Sequence, residues 1–307
     1  MKLHYNKNNK LKYHFIIVEH NSKDYLDEFI ASIIGLIGEI KITIVNNNSN
    51  YSLEELYNES IEIYNINENV GYGAAINKVA LDSDSEFICI CNSDLVFLEN
   101  SFCDLKSFVD NNSNVKLFGG QQITPKGDWH YSYGDYPSIS QILKNLLFLT
   151  QINTLFKKIK YKINFRVRIK KVNYLDGAFL VVENKLFKRL NGFDEDYFFY
   201  SEDADFCYRA KKIGENSYFT SNFKIIHHRG ASSDLNLINE NKAILFTNAY
   251  KLFLKKHYSE FYSKIVIILN RVQLTNSIFV NKLAFLLTGK LEIKSKIENI
   301  KKIKRNF

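Results

Sequence analysis

The first half of the chain alternates short strand-like runs with polar or helix-forming stretches, and this alternation constrains the fold more than any other feature. The runs are rich in Ile, Val and Phe, and they cover 14–18, 41–45, 61–66 and 87–91. Strands that alternate with helices predict a largely parallel sheet covered by helices. The sequence therefore predicts an α/β domain whose ligands gather at the carboxyl ends of the strands.

Polar residues follow three of these runs, where that ligand-binding edge is expected. His20 and Asn21 follow the first run, the segment 46–49 follows the second and the segment 92–94 follows the fourth. Asn, Ser and Asp are also common in turns and helix caps. A structural role is therefore the simpler interpretation of any one cluster taken alone.

The α/β pattern loosens after Gly119-Gly120 and returns after a basic insertion. We expect a strand over 172–182, a short helix near 184–190, a helix that begins near Glu202 and a strand over 217–228, with helices in the remainder. No internal repeat or Pro-rich linker separates independent domains. We therefore predict one domain over 1–240, with an amphipathic insertion at about 138–171, and a helical extension over 241–307.

The net charge of +8 is concentrated in two segments. Between 142 and 171 there are nine Lys or Arg and no acidic residue, and from 251 to 307 there are thirteen against three Glu. Because Leu, Ile and Phe are interleaved with these cations, we expect amphipathic helices at an anionic membrane surface. Nucleic acid is the competing partner, which we consider the weaker one. Solvated faces of helices that pack on the core are the simplest alternative.

The chain begins with polar residues, and no uncharged run reaches the roughly 18 residues that cross a bilayer. The four cysteines show neither a disulfide framework nor zinc-ligand spacing. We therefore expect a cytoplasmic protein, peripheral at the inner face of the cell membrane.

Three segments carry residues suited to chemistry. CNSDLVF at 91–97 places Asp94 just past a hydrophobic strand, where a carboxylate can hold Mg²⁺ or Mn²⁺ against a pyrophosphate. YFFYSEDADFCYR at 197–209 crowds carboxylates among aromatic rings, which raises carboxyl pKa values as a general base requires. IIHHRGASS at 225–233 offers a His that leaves a strand as a further metal ligand.

Taken in order, these segments resemble the family 2 glycosyltransferases, particularly the bacterial branch that includes rhamnosyltransferases of cell-surface polysaccharide synthesis. The resemblance runs from about His14 to Ser233 and includes FIIVEHNS at 15–22, ITIVNNNS at 42–49, NENVGYGAAINKV at 67–79, CNSDLVF at 91–97, LDGAFLVV at 175–182 and NGFDEDYFFYSEDADFCYR at 191–209. It implies a GT-A fold, which is a single Rossmann-like nucleotide-binding domain, here with C-terminal helices. It also implies a nucleotide-diphosphate sugar donor, Mg²⁺ or Mn²⁺, and inversion at the anomeric carbon.

The resemblance also implies roles for individual residues. Asp203 matches the acidic residue that removes the proton of the acceptor hydroxyl, and Glu202 is its neighbour. Asp94 and His227 match the metal ligands, with His228 as the alternative to His227. The residues implied to contact the donor are His20, Asn21, Asn46, Asn69, Gly71, Gly73, Asn77, Asn92 and Asp94.

Two of these implied roles have an alternative in the residues themselves. Gly71 and Gly73 would let the backbone approach a nucleotide closely, with Asn77 on the helix that follows. A small-residue turn that packs against the sheet would have the same composition.

Two departures from the family pattern concern the donor. The family usually has Tyr-Asn after the first strand and Asp after the second, where this chain has His20-Asn21 and Asn46. The missing Asp commonly contacts the nucleobase. Asn46 can still accept from and donate to a pyrimidine, which keeps UDP- and dTDP-sugars, dTDP-rhamnose among them, as donors. At the metal motif, Asn92 stands where the family has its first acidic residue. Asp94 would therefore be the one carboxylate that carries most of the coordination.

Other function classes remain open from the sequence. A nucleotidyltransferase or sugar-nucleotide modifying enzyme would show a Gly-rich signature near the first strand, and the loop VEHNSKD contains no glycine. A catalytically inactive scaffold of the same fold is suggested by His20 and Asn46, but retention of the Asp94, Asp203 and His227 set opposes it. The acceptor is expected to be a saccharide or a lipid-linked saccharide.

Overall fold

A computed structural model describes residues 11–36, 40–53, 61–147, 169–228 and 240–307, together with Phe156, Lys158 and Ile159. The chain divides into two compact units. The first comprises Met1–Gly134, Arg166–Phe198 and Glu202–Ser232, and the second comprises Asp135–Phe165, Phe199–Ser201 and Ser233–Phe307. The C-terminal helices fall in the second unit, whereas the basic insertion is divided between the two units after residue 165.

The first unit is built on a large mixed sheet. Its strands are β1 Tyr13–Glu19, β2 Ile40–Asn47, β3 Ile61–Ile66, β4 Phe87–Asn92, β5 Leu95–Phe97, β6 Leu117–Ile123, β8 Lys170–Val172, β10 Phe179–Glu183 and β11 Ser217–His227, while β7 Tyr133–Gly134 and β9 Tyr174–Leu175 form a separate pair. The order is β3-β2-β1-β4-β10-β6-β11-β5, with β8 also on β11. The first four strands run parallel, as do β6 and β11, whereas β10, β5 and β8 run antiparallel to their neighbours. The predicted α/β fold is confirmed.

The described helices cover the sheet in the first unit and make up most of the second. They are α1 Lys23–Ile33, α2 Tyr72–Ala80, α3 Ser101–Asn111, α4 Ile139–Leu146, α5 Asn184–Arg189, α6 Glu202–Lys212, α7 Glu240–His257, α8 Glu260–Thr288 and α9 Leu291–Asn306, and a 3₁₀ turn at Ile34–Leu36 follows α1. Among the helices of the described ranges, none combines the length and apolar character that a bilayer crossing requires.

Strand β1 is buried on both faces, which explains why it reads as a continuous apolar run. Phe15 and Ile17 pack into one apolar cluster with residues of α1 and α3, while Ile16 and Val18 pack into a second cluster with residues of α2 and α6. Alternate side chains of a strand point to opposite faces, so both sides of the sheet are covered.

Two details differ from the sequence prediction. The strand expected over 172–182 is interrupted at 176–178. There the Gly177 amide donates to Asp203 Oδ2 at 2.8 Å, and the Ala178 amide donates to Asp176 Oδ1 at 3.0 Å. Backbone groups bonded to carboxylates cannot join a strand ladder. In addition, the strand pattern continues through Gly119-Gly120 and ends at Ile123.

His14 lies in the middle of this unit with only 1% of its surface exposed. The Thr43 hydroxyl donates to Glu62, so it accepts from Nε2 of His14 at 2.8 Å, and Nδ1 then accepts from Ser83 at 2.9 Å. Burial, followed by the charge of Lys41, lowers the pKa of His14 from 6.5 to about 3. The imidazole is therefore neutral in the folded state.

We expect the free energy of unfolding to fall between pH 7 and pH 5, because the unfolded state takes up a proton on His14 that the folded state does not. Since one pKa unit is worth about 1.4 kcal/mol, the loss attributable to His14 should be about 2 kcal/mol at pH 5. Urea unfolding at both pH values should show a smaller loss for His14→Gln than for the natural chain. An equal loss in the two proteins would contradict this assignment.

Candidate active site

The parallel strands align their carboxyl ends at one edge of the sheet. In the register, Glu19 lies beside Asn46, which lies beside Asn65, and Val18 lies beside Asn92. The polar residues that follow β1, β2 and β4 are therefore brought to the same edge.

Asp94 and His227 meet at this edge because β5 pairs with the end of β11. Leu95 lies opposite His227, so the preceding Asp94 comes within 3.2 Å of the imidazole, measured from Oδ1 to Nε2. The amide of His228 donates to the backbone carbonyl of Asp94 at 3.0 Å. Asp94 is 7% exposed and His227 is 5% exposed, so the pair is largely shielded from water.

Gln122 orients the His227 ring. The side-chain amide of Gln122 is oriented so that its Oε1 accepts from Nδ1 of His227 at 2.8 Å. Gln122 is itself buried. Because Nδ1 is the donor to Gln122, Nε2 is the ring nitrogen that faces Asp94.

A divalent cation fits this pair. Oδ1 of Asp94 is buried, and Nε2 of His227 lies 3.2 Å from it. Burial alone raises the pKa of this carboxyl, but the imidazole of His227 and the charge of His228 outweigh it, so the net pKa lies below its ordinary value. No group of three or more His, Cys, Asp or Glu in the described ranges could hold a metal by itself. Magnesium characteristically takes one or two protein ligands plus phosphate oxygens and water, and the pair suits that mode.

His228 is directed elsewhere. Its Nε2 lies 3.1 Å from Oε2 of Glu28, and its ring packs edge-on against Tyr25 with centroids 5.0 Å apart. Both partners belong to α1. Of the two adjacent histidines, only His227 has its imidazole beside Asp94.

Glu202 and Asp203 begin helix α6 and point in different directions. The half-buried Asp203 accepts from the amides of Gly177 at 2.8 Å and Ala204 at 2.7 Å. Glu202 is 6% exposed, and its Oε2 has no hydrogen-bond partner in the described parts of the chain. Its Cβ lies 3.6 Å from where a side chain on Gly73 would begin, which places it beside α2.

Both carboxyls have pKa values above their ordinary range. Burial raises the pKa of Glu202, and the charge of Asp203 raises it further. Burial also raises the pKa of Asp203, and the charge of Asp176 adds to that shift. A raised pKa is what a general base at neutral pH requires.

Asp176 and Glu19 were missed by the sequence reasoning. Asp176 stands in the quoted LDGAFLVV segment, and an acidic residue before a glycine was the available signal. Glu19 is fully buried at the end of β1 and accepts from the amide of Ser22 at 2.6 Å, from its hydroxyl at 2.7 Å and from the Tyr51 hydroxyl. A charged residue that ends an apolar strand was the signal there.

The predicted donor residues after β1 and β2 form a hydrogen-bonded network. His20 donates from Nδ1 to the carbonyl of Asn47 at 2.9 Å, and its Nε2 lies 3.3 Å from the Asn69 amide nitrogen. Asn47 donates to Asn69 Oδ1 at 3.0 Å and to the Gly71 carbonyl at 3.3 Å. The structure thus brings His20, Asn69 and Gly71 together. The residue that links them is Asn47, for which the sequence predicted no role of its own.

The remaining asparagines of the predicted set lie around this network. Asn46 donates to Asn65 Oδ1 and accepts from the Ser49 amide, both at 2.9 Å. The exposed Asn21 accepts from the Asn50 amide at 2.9 Å, and Asn92 is half-buried at the end of β4.

Gly71 and Gly73 are explained by the chain's own packing. A Cβ on Gly71 would lie 2.4 Å from the carbonyl oxygen of Phe198, and a Cβ on Gly73 would lie 2.9 Å from Cβ of Phe193. The alternative given by the residues, a small-residue turn required by packing, therefore accounts for both glycines. The nucleotide contact implied for them stays a prediction.

Asn77 anchors the segment that approaches these glycines. Its side chain donates to the Phe193 carbonyl at 2.8 Å and to Glu195 at 3.0 Å, and it accepts from the Phe193 amide at 2.9 Å. It is 4% exposed. The described contacts give Asn77 a structural role, and they use both hydrogens of its amide.

Comparisons with known proteins identify the family of this chain. The model of "Glycosyl transferase family 2" matches residues 14–190. The chain is 24% identical to Rhamnosyltransferase WbbL of Escherichia coli strain K12 over 227 residues, which is 70% of this chain and 83% of that protein. It is 21% identical over 238 residues to the N-acetylglucosaminyl-diphospho-decaprenol L-rhamnosyltransferase of Mycobacterium tuberculosis, covering 71% of this chain and 76% of that one.

A solved structure supports the fold. The mannosyltransferase PcManGT from Pyrobaculum calidifontis, in complex with GDP-Man and Mn²⁺, superposes with a TM-score of 0.58 at 10% identity over 96% of this chain and 86% of that one. The family model matches more than half of the chain, so this chain is a glycosyltransferase that belongs to glycosyl transferase family 2.

Proposed function

We propose that this glycosyltransferase moves a sugar, with inversion, from a UDP- or dTDP-sugar to a hydroxyl of a saccharide or lipid-linked saccharide. The observation that carries the proposal is a short link between two carboxylate sites. The Asn92 amide, two residues before Asp94, donates to the Ala178 carbonyl at 2.9 Å, and the adjacent Gly177 amide donates to Asp203. The proposed metal site and the proposed base site are thus joined through one turn.

The relatives support the finer choice of donor and acceptor. Two of them are rhamnosyltransferases, and the printed name of one specifies a diphospho-decaprenol acceptor. We therefore propose dTDP-rhamnose as the first donor to test, cell-surface polysaccharide synthesis as the context, and the inner face of the cell membrane as the place of work.

Asp94 and His227 are the residues that would hold Mg²⁺ or Mn²⁺. When bound, such an ion neutralises the charge that develops on the departing diphosphate. Gln122 keeps Nε2 of His227 directed at the site, and the shielded surroundings strengthen every charge interaction there. The network of His20, Asn47 and Asn69 is proposed to line the nucleotide side.

Asp203 is the proposed general base. It is half-buried and held by two backbone amides, which fix its direction, so it can accept the proton of an acceptor hydroxyl as the new bond forms. Glu202 is more deeply buried beside α2, and we propose that it supports the start of α6 rather than receiving the proton, while the charge of Asp176 helps to raise the pKa of Asp203.

The inactive-scaffold alternative has a physical objection. A buried polar atom without a partner costs about 1–3 kcal/mol, and Glu202 Oε2 is in that condition among the described residues. A scaffold gains nothing from this cost, whereas an enzyme recovers it when donor, metal and acceptor bind.

The metal assignment is tested by thermal shift with dTDP-rhamnose, other nucleotide-sugars and Mn²⁺. Since binding stabilises by RT ln(1 + [L]/Kd), a donor at 100 Kd should add about 2.7 kcal/mol. Asp94→Asn and His227→Gln should lose the Mn²⁺-dependent part of this stabilisation. His228→Gln is the matched control and should keep it, because its ring faces α1. Equal Mn²⁺ dependence in Asp94→Asn and the natural protein would rule out the metal assignment.

The base assignment is tested by transfer kinetics. Asp203→Asn keeps the shape but removes the basicity, so sugar transfer should fall at least ~100-fold while donor affinity persists. Glu202→Gln should cost less in turnover. Because the pKa of Asp203 is raised, transfer by the natural enzyme should decline as pH falls through that raised value, and Asp176→Asn should move this decline to lower pH because the charge of Asp176 contributes to the shift. If Glu202→Gln is the slower variant, the base has been assigned to the wrong residue.

A further inference from the structure

Helix α8 carries a row of exposed apolar side chains. Phe261 is 76% exposed, Ile268 61%, Phe279 60% and Leu286 79%, and Val272 and Leu283 are also exposed. The opposite side of the same helix is already used, since Val266 is fully buried in a cluster with Ile142 of α4 and Leu254 of α7. A helix that is apolar on two sides is expected to be covered on both.

The exposed row occupies one narrow face. The six residues are spaced by seven, four, seven, four and three positions, and at 100° per residue they fall within an arc of about 60°. At 1.5 Å per residue the row is roughly 38 Å long. It is therefore a continuous stripe, which we call the α8 stripe, and not a set of isolated exposed residues.

Cations line one edge of the α8 stripe. Lys264, Arg271 and Lys282 are exposed and lie within about 20° of one another around the helix, next to the stripe. The only acidic residue of α8 is Glu260 at its start, which pairs with Lys264 at 2.6 Å. The border of the stripe is therefore net positive.

We propose that the α8 stripe docks on an anionic lipid surface, with the apolar side chains at the acyl boundary and the three cations among the headgroups. The charge selects this occupant, because phospholipid headgroups neutralise the cation row, whereas a second copy would bring another cation row to the interface. Arg271 and Lys282 at the border of the stripe fit a helix that lies in the interface plane and does not cross it.

This inference deepens the proposed work on a lipid-linked acceptor, but vesicle binding can be measured without sugar transfer, so either can fail alone. It narrows the membrane contact expected from the basic segments at 142–171 and 251–307 to one helix face. Most of the first segment lies outside the described residues. Within the second, the α8 stripe combines cations with exposed apolar side chains in register.

The test is co-flotation of the full chain with phosphatidylcholine vesicles, with and without phosphatidylglycerol. We expect binding to the anionic vesicles that weakens as salt rises. Each cation near an anionic surface contributes about five-fold in partitioning, so Lys264→Gln, Arg271→Gln and Lys282→Gln together should reduce it roughly 100-fold. Ile268→Ser with Phe279→Ser should also release the protein, because the apolar contact is lost.

Matched control variants distinguish the effect of the α8 stripe on vesicle binding from the effect of overall charge and hydrophobicity. Lys294→Gln, Lys296→Gln and Arg305→Gln remove the same charge from exposed positions of α9, and Leu143→Ser removes an exposed apolar side chain from α4. These variants should bind vesicles much as the natural chain does. The proposal is overturned by equal binding to neutral and anionic vesicles, by equal losses in stripe and control variants, or by a dimer that Phe279→Ser dissociates in the absence of lipid.

Discussion

The parallel pairing of β1 with both β2 and β4 is the constraint on which the site depends. It buries β1 on two faces and aligns three carboxyl ends in register, so polar side chains can emerge at only one edge. That edge is crowded, and water cannot satisfy all of its groups. Some of these groups are hydrogen-bonded within the chain. Glu19, for example, accepts from Ser22 and Tyr51, and these bonds hold the loops that follow β1 and β2.

A buried group at this edge remains unsatisfied, and it belongs to the proposed chemistry. Glu202 Oε2 has no hydrogen bond among the described residues, whereas Asn47 and Asn77 are bonded through both ends of their amides. The raised pKa values of Glu202 and Asp203 have the same origin, since burial disfavours their charged forms. The fold is therefore less stable at this edge than an apolar packing would make it, which is common at sites where a ligand completes the electrostatics.

Much of this arrangement could be predicted from local sequence. The strands β1 to β4, the start of α6 at Glu202 and the strand that ends at His227 follow from periodicity and from the resemblance. What could not be predicted depends on distant contacts. The break at 176–178 depends on a hydrogen bond to Asp203. Gly71 and Gly73 are needed because Phe198 and Phe193 pack against them, and no local sequence pattern predicts such pairs. The partners of Glu19 were invisible for the same reason.

The segment that leads into α6 shows how these distant contacts set the position of the carboxylates. Tyr200 and Ser201 both adopt positive φ, at 71° and 67°, immediately before Glu202. Such backbone costs about 1–3 kcal/mol per residue and persists only where the surroundings hold it. Asn77 fixes the chain upstream at Phe193, and the Asp203 contact with Gly177 fixes it downstream. Because both ends are held, the strained turn sets the direction in which α6 starts, so that Glu202 faces α2 while Asp203 faces the turn at 176–178.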